Sequence, residues 1–248
     1  MITQFQKLFA RPRHLILLIL TAWIGLVLAE KRAERHGISK DDLNNLTFYG
    51  LLAFIIGGRV VYVLQNISAF THSPLDVFSI NMDVFDITGA IATAIIASLI
   101  YGQRHNLKLW STLDALVPFF TMLAIGGHLS QLAAGTAIGA PSNVPWAIEQ
   151  RHPTQIYGFL ASLLILGLLW FKKHDSHSGI LFLLFAALTS LSILIIEAFR
   201  GDSTFILGGL RQSQVIALNT LVGLFILIEY RLTAPAESNV EQSSKSVE

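Results

Sequence analysis

Arg59 lies deep in LTFYGLLAFIIGGRVVYVLQ, Leu46 to Gln65, an apolar run with no other charged residue. At about 20 residues the run is long enough to cross a hydrocarbon core as a helix. A guanidinium at the centre of such a helix costs roughly 2.5 to 3.5 kcal/mol to insert, so it must face a polar interior and meet an anion or a carbonyl. Gly57 and Gly58 precede it and leave room for a second helix or a ligand, and Tyr62 follows at helical spacing. Two readings stand: an arginine that receives an anionic ligand, or one that pairs with an acidic residue to hold helices together.

Further along the chain, Gly126-Gly127-His128 sets a second ionisable group within an apolar run, with Ser130 and Gln131 close behind. RHPTQIY then brings Arg151, His152, Gln155 and Tyr157 together at the mouth of another run. Glu197 and Arg200 close a later run at i, i+3 spacing, and Gln214 opens the last one. Arginines bind phosphate through paired N–H donors, and a histidine titrates near neutrality and can take a proton. At a membrane surface the most available anion is a phospholipid headgroup. Each residue also has a structural reading. His128 can be a helix-packing histidine and His152 the cap of a loop. Gln155 and Tyr157 can be an interhelical hydrogen bond and an interfacial anchor, and Glu197–Arg200 an ion pair.

The elements that would position these groups are helices in a bilayer. The chain is 53% hydrophobic and only 13% charged, against about a quarter charged in soluble domains. A net charge of +1 supplies no basic field for nucleic acid, and the absence of cysteine excludes disulfides and a cysteine nucleophile of the chain's own. The eight histidines form no HxxxH or HExxH pair, so no metal and no cofactor is expected.

Apolar runs fall at 14–29, 46–65, 86–101, 113–135, 154–171, 179–199 and 213–230, with Pro118 predicting a kink in the fourth. The first could pass for a signal peptide, but Lys31, Arg32 and Arg35 follow at once and mark it as a retained span. Lys31 to Asp42 reads as a solvated loop, as does 67–85. In the loop 139–153 two prolines near Trp146 predict a rigid turn with the indole at the lipid–water interface.

Seven spans put the termini on opposite sides. Lys7, Arg11, Arg13, Arg151, Arg200 and Arg211 fall on one side. The richer set, Lys31, Arg32, Arg35, Lys40, Arg104, Lys108, Lys172, Lys173, Arg231 and Lys245, falls on the other. The positive-inside rule then sets the N-terminus outside and the C-terminus in the cytoplasm. The expected fold class is all-α: a polytopic membrane protein of about seven transmembrane helices, one domain over 1–232, with a disordered tail over 233–248.

NNLTFYGLLAFIIGGRVVYVLQN (Asn44 to Asn66) and RHPTQIY (Arg151 to Tyr157) resemble two signatures of the bacterial prolipoprotein diacylglyceryl transferases. NVPWAI, EAFRGD and the SQ of Ser213-Gln214 resemble further family segments, and the likeness runs from about residue 14 to 230. The resemblance implies a seven-span enzyme of the bacterial plasma membrane. Such an enzyme moves diacylglyceryl from phosphatidylglycerol to a lipobox cysteine thiol on a preprotein.

In that reading Arg59 and Arg200 hold the phosphate, Glu197 orients Arg200, and His128 serves as base or as a cationic phosphate ligand. Tyr62, Thr88, Gln131, Arg151, His152, Gln155, Tyr157 and Gln214 complete the substrate side. The chain departs from the family pattern at chemical positions. Thr88, with Asp86 nearby, stands at the family's HGG histidine, and only Gly89 is kept. GHLSQLAAGT replaces GRxGNFxNxE, which sets His128 at the arginine, Gln131 at the asparagine and Thr136 at the glutamate, and Gly158 stands where a glutamate follows RHPTQIY. The alternative is therefore an inactive or repurposed relative that binds phospholipid or lipoprotein peptide. A small-molecule transporter is a third class, disfavoured by the lack of an internal repeat or paired broken helices.

Overall fold

The computed structural model describes residues 14–70, 85–137, 139–172, 177–206 and 208–233, together with Phe5, Leu8 and Phe9. Seven long helices occupy them: α1 (Leu15–Ala33), α2 (Lys40–Gln65), α3 (Ile87–Arg104), α4 (Leu109–Ala134), α5 (Thr154–Phe171), α6 (Ile180–Ile196) and α7 (Gln212–Thr233). One small hairpin, β1 (Phe205–Ile206) with β2 (Leu210–Arg211), is antiparallel and pairs Phe205 with Arg211. Among the described residues the fold is helical apart from this hairpin and isolated bridges.

Five helices, α2, α4, α5, α6 with its following turn, and α7, are long and apolar enough to cross a membrane. In α1 the closing residues Glu30, Lys31 and Arg32 lower the apolar character. The chain divides into two compact units, residues 36–112 and residues 1–35 with 113–248.

In the first unit, α2 starts at an N-cap, where the Ser39 side chain accepts from Asp42 N at 3.0 Å and Asp41 and Asp42 fill the first turn. Small residues set its approach to α3. A Cβ on Gly57 would collide with Thr93, one on Gly58 with Phe85 and Ala90, and one on Gly89 with Val61. Thr93 Oγ1 also donates to Ala53 O across the pair at 3.0 Å. The neighbour admitted by the two glycines before Arg59 is thus a helix.

In the second unit α4 is the most buried of the membrane-length helices. Val117 packs there with Ile165, Leu169 and Leu181 from α5 and α6. Pro118 is fully buried and α4 continues through it, with Thr121 Oγ1 donating to Val117 O at 2.7 Å. Gly126 of α4 meets Thr21 of α1.

The expected solvated loop from Lys31 to Asp42 is largely helical. α1 extends to Ala33, a short turn covers Glu34–His36, and α2 begins at Lys40. Arg32 is only 4% exposed, because its guanidinium donates to Trp170 O at 3.2 Å and lies 5.4 Å from the Trp170 ring centroid. The stem's burial and these acceptors outweigh hydration. Of the expected loop over 67–85, Ile67–Phe70 is a helical turn, and 71–84 and the tail from 234 lie outside the described residues.

Candidate functional site

Three expected site residues belong to the unit of residues 36–112. Arg59 is half-buried on α2, its guanidinium carbon 5.7 Å from the Phe70 ring centroid. Tyr62, one turn later, meets the same ring edge-on at 6.4 Å, so Phe70 serves both side chains. Thr88 is exposed in the first turn of α3. Asp86, the alternative at that position, is the N-cap of α3: its carboxylate accepts from Gly89 N, while its own N–H donates to Gly58 O at 3.0 Å. A carboxylate engaged in capping is already committed to the backbone.

The other expected residues belong to the second unit, where backbone pairing joins two of the sequence motifs. Gly139 forms an antiparallel bridge with Arg200, and Pro141 one with Arg151. Ala140 N donates to Phe199 O at 2.8 Å, and His152 N donates to Ala140 O at 3.0 Å. Residues 139–140 thus lie between the Arg151-His152 and Phe199-Arg200 segments. No side chain fits at 139, since a Cβ there would strike the His152 carbonyl. The turn that delivers Arg151 has Glu149 and Gln150 both at positive φ, 51° and 58°, a conformation non-glycine residues seldom adopt. Arg151 Nη1 donates to Gly139 O at 3.1 Å.

Over this staple lies an aromatic cluster. Trp146 Nε1 donates to Tyr157 Oη at 2.8 Å, and the same oxygen is 3.2 Å from His152 Nδ1. Phe199 packs on both, with centroids 5.0 Å from His152 and 5.9 Å from Tyr157. The expected turn carries the exposed indole, which is also a hydrogen-bond donor to the RHPTQIY motif.

Glu197 and Arg200 are not on one α-helical face. α6 ends at Ile196, Glu197–Phe199 is a 3-10 turn, and Arg200 is extended. Glu197 is 4% exposed with its Oε2 3.7 Å from Arg200 Nε. The closer carboxylate is Asp202, whose oxygens accept from Arg200 Nε at 2.9 Å and Nη2 at 3.0 Å. These hydrogen bonds raise the Arg200 pKa above the ordinary guanidinium value, against a smaller lowering by burial.

Sequence reasoning missed Arg211 as a site residue and counted it only for topology. Its Nη1 donates to Glu197 O at 2.8 Å, Arg200 O at 2.7 Å and Ser203 Oγ at 2.6 Å, and its guanidinium lies over Phe205 at 5.5 Å. It closes the whole segment between α6 and α7. Asp202 was also overlooked, although a carboxylate two residues beyond an arginine, across Gly201, signals a turn that can close on itself.

His128 is half-buried on α4, and Gln131 follows one turn on. The imidazole fills the space beside buried Gly158, where a Cβ would run into the ring. Gln155 Nε2 donates to Thr136 O at 2.6 Å and Thr154 Oγ1 to Ala137 O at 2.8 Å, which ties the start of α5 to the end of α4. Gln214 Nε2 donates to Leu194 O at 3.0 Å and joins α7 to α6. Among the described residues no group of three or more His, Cys, Asp or Glu is arranged to hold a metal ion.

A family model described as prolipoprotein diacylglyceryl transferase matches residues 13–230. The chain is 28% identical over 215 residues to the phosphatidylglycerol–prolipoprotein diacylglyceryl transferase of Clostridium tetani, covering 82% of this chain and 86% of the relative. It is 31% identical over 224 residues to the protein of that name from Trichormus variabilis, covering 82% and 79%. The Thermotoga petrophila protein of the same name is 30% identical over 220 residues, covering 81% and 74%.

Proposed function

The chain belongs to the prolipoprotein diacylglyceryl transferase family, and we propose that it transfers diacylglyceryl from phosphatidylglycerol to the cysteine thiol of a lipobox preprotein in the bacterial plasma membrane. The observation that carries this reading is a family match over residues 13–230, which takes in every candidate site residue. In the reaction a new C–S bond replaces the glyceryl C–O bond, glycerol phosphate leaves with the electron pair, and the thiol proton passes to a base or to water. The chain's own task is to bind the lipid phosphate, assist thiolate formation and keep water from the glyceryl carbon.

Arg200 supports the first role, because it already presents two N–H groups to a pair of oxygens at the end of a membrane-length helix. Within its own unit, Arg59, half-buried in an apolar helix beside Tyr62, is in this reading a cation that meets lipid phosphate. His128 takes the proton. Its position on α4, against Gly158 of α5, gives it a fixed orientation. Glu197 and Asp202 act on Arg200. His152, Tyr157, Gln155, Arg151 and Gln214 shape the wall around Arg200, and Thr88, exposed on the other unit, is a lipid contact there in this reading.

The orientation belongs to the same proposal: seven spans, the N-terminus outside and the C-terminus cytoplasmic. It is supported by the seven long helices and by the greater Lys and Arg content of the loops assigned to the cytoplasm.

The test is direct. Purified protein receives phosphatidylglycerol and a lipobox peptide, and mass spectrometry seeks the thioether peptide. Product formation establishes the transfer. Phospholipid binding without product marks the chain as a lipid-binding relative without the activity.

A further inference from the structure

We propose that Asp202 is a resident anion in the fork of Arg200, held there until a phosphate with paired oxygens displaces it, and that it thereby sets the protein's affinity for anionic lipid. The inference rests on the reading of Arg200 as a phosphate ligand. Asp202 presents its two carboxylate oxygens to Nε and Nη2 at 2.9 and 3.0 Å, the same two-point geometry by which an arginine takes a phosphate.

Arg200 faces a second carboxylate, and the segment has a second clasp. Glu197, 4% exposed and 3.7 Å from Nε, already counters the Arg200 charge from the protein side. Arg211 holds the segment closed, through the carbonyls of Glu197 and Arg200 and the hydroxyl of Ser203. Asp202 is also the outermost of the three, with its side chain 40% exposed against 32% for Arg200. An ion pair this wet is weak and exchangeable, since exposed pairs contribute little beyond what water and salt already screen. A lipid phosphodiester arriving from the bilayer would form the same two hydrogen bonds and release Asp202 to water. The lipid diester and a free phosphate share this chemistry, and the proposed reaction points to the lipid.

The experiment uses the full chain in detergent, with vesicles of phosphatidylcholine containing or lacking phosphatidylglycerol. Asp202→Asn removes the competing charge and keeps the side-chain shape. It is expected to tighten binding to phosphatidylglycerol vesicles about two- to fivefold, the range for one exposed ion pair, with no change on phosphatidylcholine alone. Arg200→Ala in the Asp202→Asn background should erase the gain. Glu149→Gln, which neutralises another exposed carboxylate, should leave binding unchanged.

Unchanged or weaker binding by Asp202→Asn, where Arg200→Ala alone weakens it, overturns this inference and spares the role of Arg200. Normal binding by Arg200→Ala overturns the role itself. An equal gain from Glu149→Gln reduces the effect to net charge and overturns the inference. So does a gain seen only with inorganic phosphate and not with vesicles, which would detach Asp202 from the lipid. Should Asp202→Asn unfold, Asp202→Ser read by the same binding measurement carries the same expectations.

Discussion

The imidazole of His128 and the missing side chain of Gly158 are two halves of one contact, because the ring lies in the volume a Cβ on residue 158 would need. The two residues lie on α4 and α5, which pack in the same unit. His128 therefore has its position set by a glycine on another helix. Gly158→Ala should displace the ring at a cost of about 1 to 3 kcal/mol of overpacking. Transferase activity should fall about tenfold or more, since small misplacements of a reacting group carry losses of that order or larger. His128→Ala should lose activity with little overpacking penalty. Thermal unfolding in detergent, set beside turnover for the two variants, checks this. Full turnover in His128→Ala would reduce the histidine to a packing residue.

Asp86 allows a cleaner separation of cap from catalyst. Its carboxylate accepts from Gly89 N at the start of α3. Asparagine caps a helix about as well as aspartate, whereas alanine costs about 0.5 to 2 kcal/mol. Asp86→Asn is therefore expected to unfold at the wild-type temperature and retain turnover, and Asp86→Ala to unfold at a lower one. If Asp86→Asn folds normally and loses turnover at least a hundredfold, the carboxylate is chemical and the capping account of its role is incomplete.

Much of this architecture is legible because apolar length survives translation into structure with few intermediaries. The run expected at 154–171 is α5 as built, five others match helices that pass them by a few residues at one end or both, and the run at 179–199 holds the shorter α6. The polar contacts were harder to read. Asp114 lies inside the fourth run and was passed over, yet it is 3% exposed and accepts from Gly179 N and Phe182 N, residues far along the chain. Arg32 looked like a loop charge because its acceptor, Trp170 O, is equally remote in sequence. Apolar periodicity announces a helix locally, but the partner of a buried charge is chosen by the tertiary fold. The segment between α6 and α7 was hidden for the same reason, since three groups converge on one arginine there.

Arg211 should behave as the clasp of that segment. Removing its guanidinium leaves the Arg200 carbonyl and the Ser203 hydroxyl without this donor, while the Glu197 carbonyl keeps Arg200 N, and each half-buried group so abandoned costs about 1 to 3 kcal/mol at most. Arg211→Ala should therefore lower the unfolding temperature and weaken phosphatidylglycerol binding together. Arg211→Lys should recover only part of both, because an ammonium cannot reproduce the stacking over Phe205. Protease cleavage between 197 and 211 offers a second readout, and should rise in the alanine variant.

Arg200 lends itself to a pH experiment. Its pKa is raised by Asp202, so its pairing is fully present below the unfolded guanidinium value and is lost only as pH rises through the folded one. Both values lie in the strongly alkaline range. Lipid binding should therefore show no titration attributable to Arg200 between about pH 6 and 9. Arg200→Lys should bind phosphatidylglycerol at least several-fold more weakly across that interval, because it loses the two-point fork while keeping the charge. A lysine variant with wild-type affinity would show that charge alone suffices.

Asp114 and Arg32 make the most severe stability prediction. Asp114 uses both carboxylate oxygens on the entry of α6, to Gly179 N at 2.6 Å and Phe182 N at 2.8 Å, and its charge also acts on buried Arg32. A buried N–H left without its acceptor typically costs about 1 to 3 kcal/mol. Asp114→Ala abandons two of them at the entry of α6 and should lose stability of that order for each. Arg32→Met removes the other charge and keeps an apolar stem against Trp170, so it should cost less. The double variant should be more stable than the sum of the single losses, since the stranded guanidinium is gone, yet remain below wild type because the α6 amides still lack their acceptor. Denaturation of all four proteins in one detergent yields the coupling between the two sites. Strictly additive losses would mean that Asp114 serves only as the cap of α6 and that Arg32 is held by Trp170 alone.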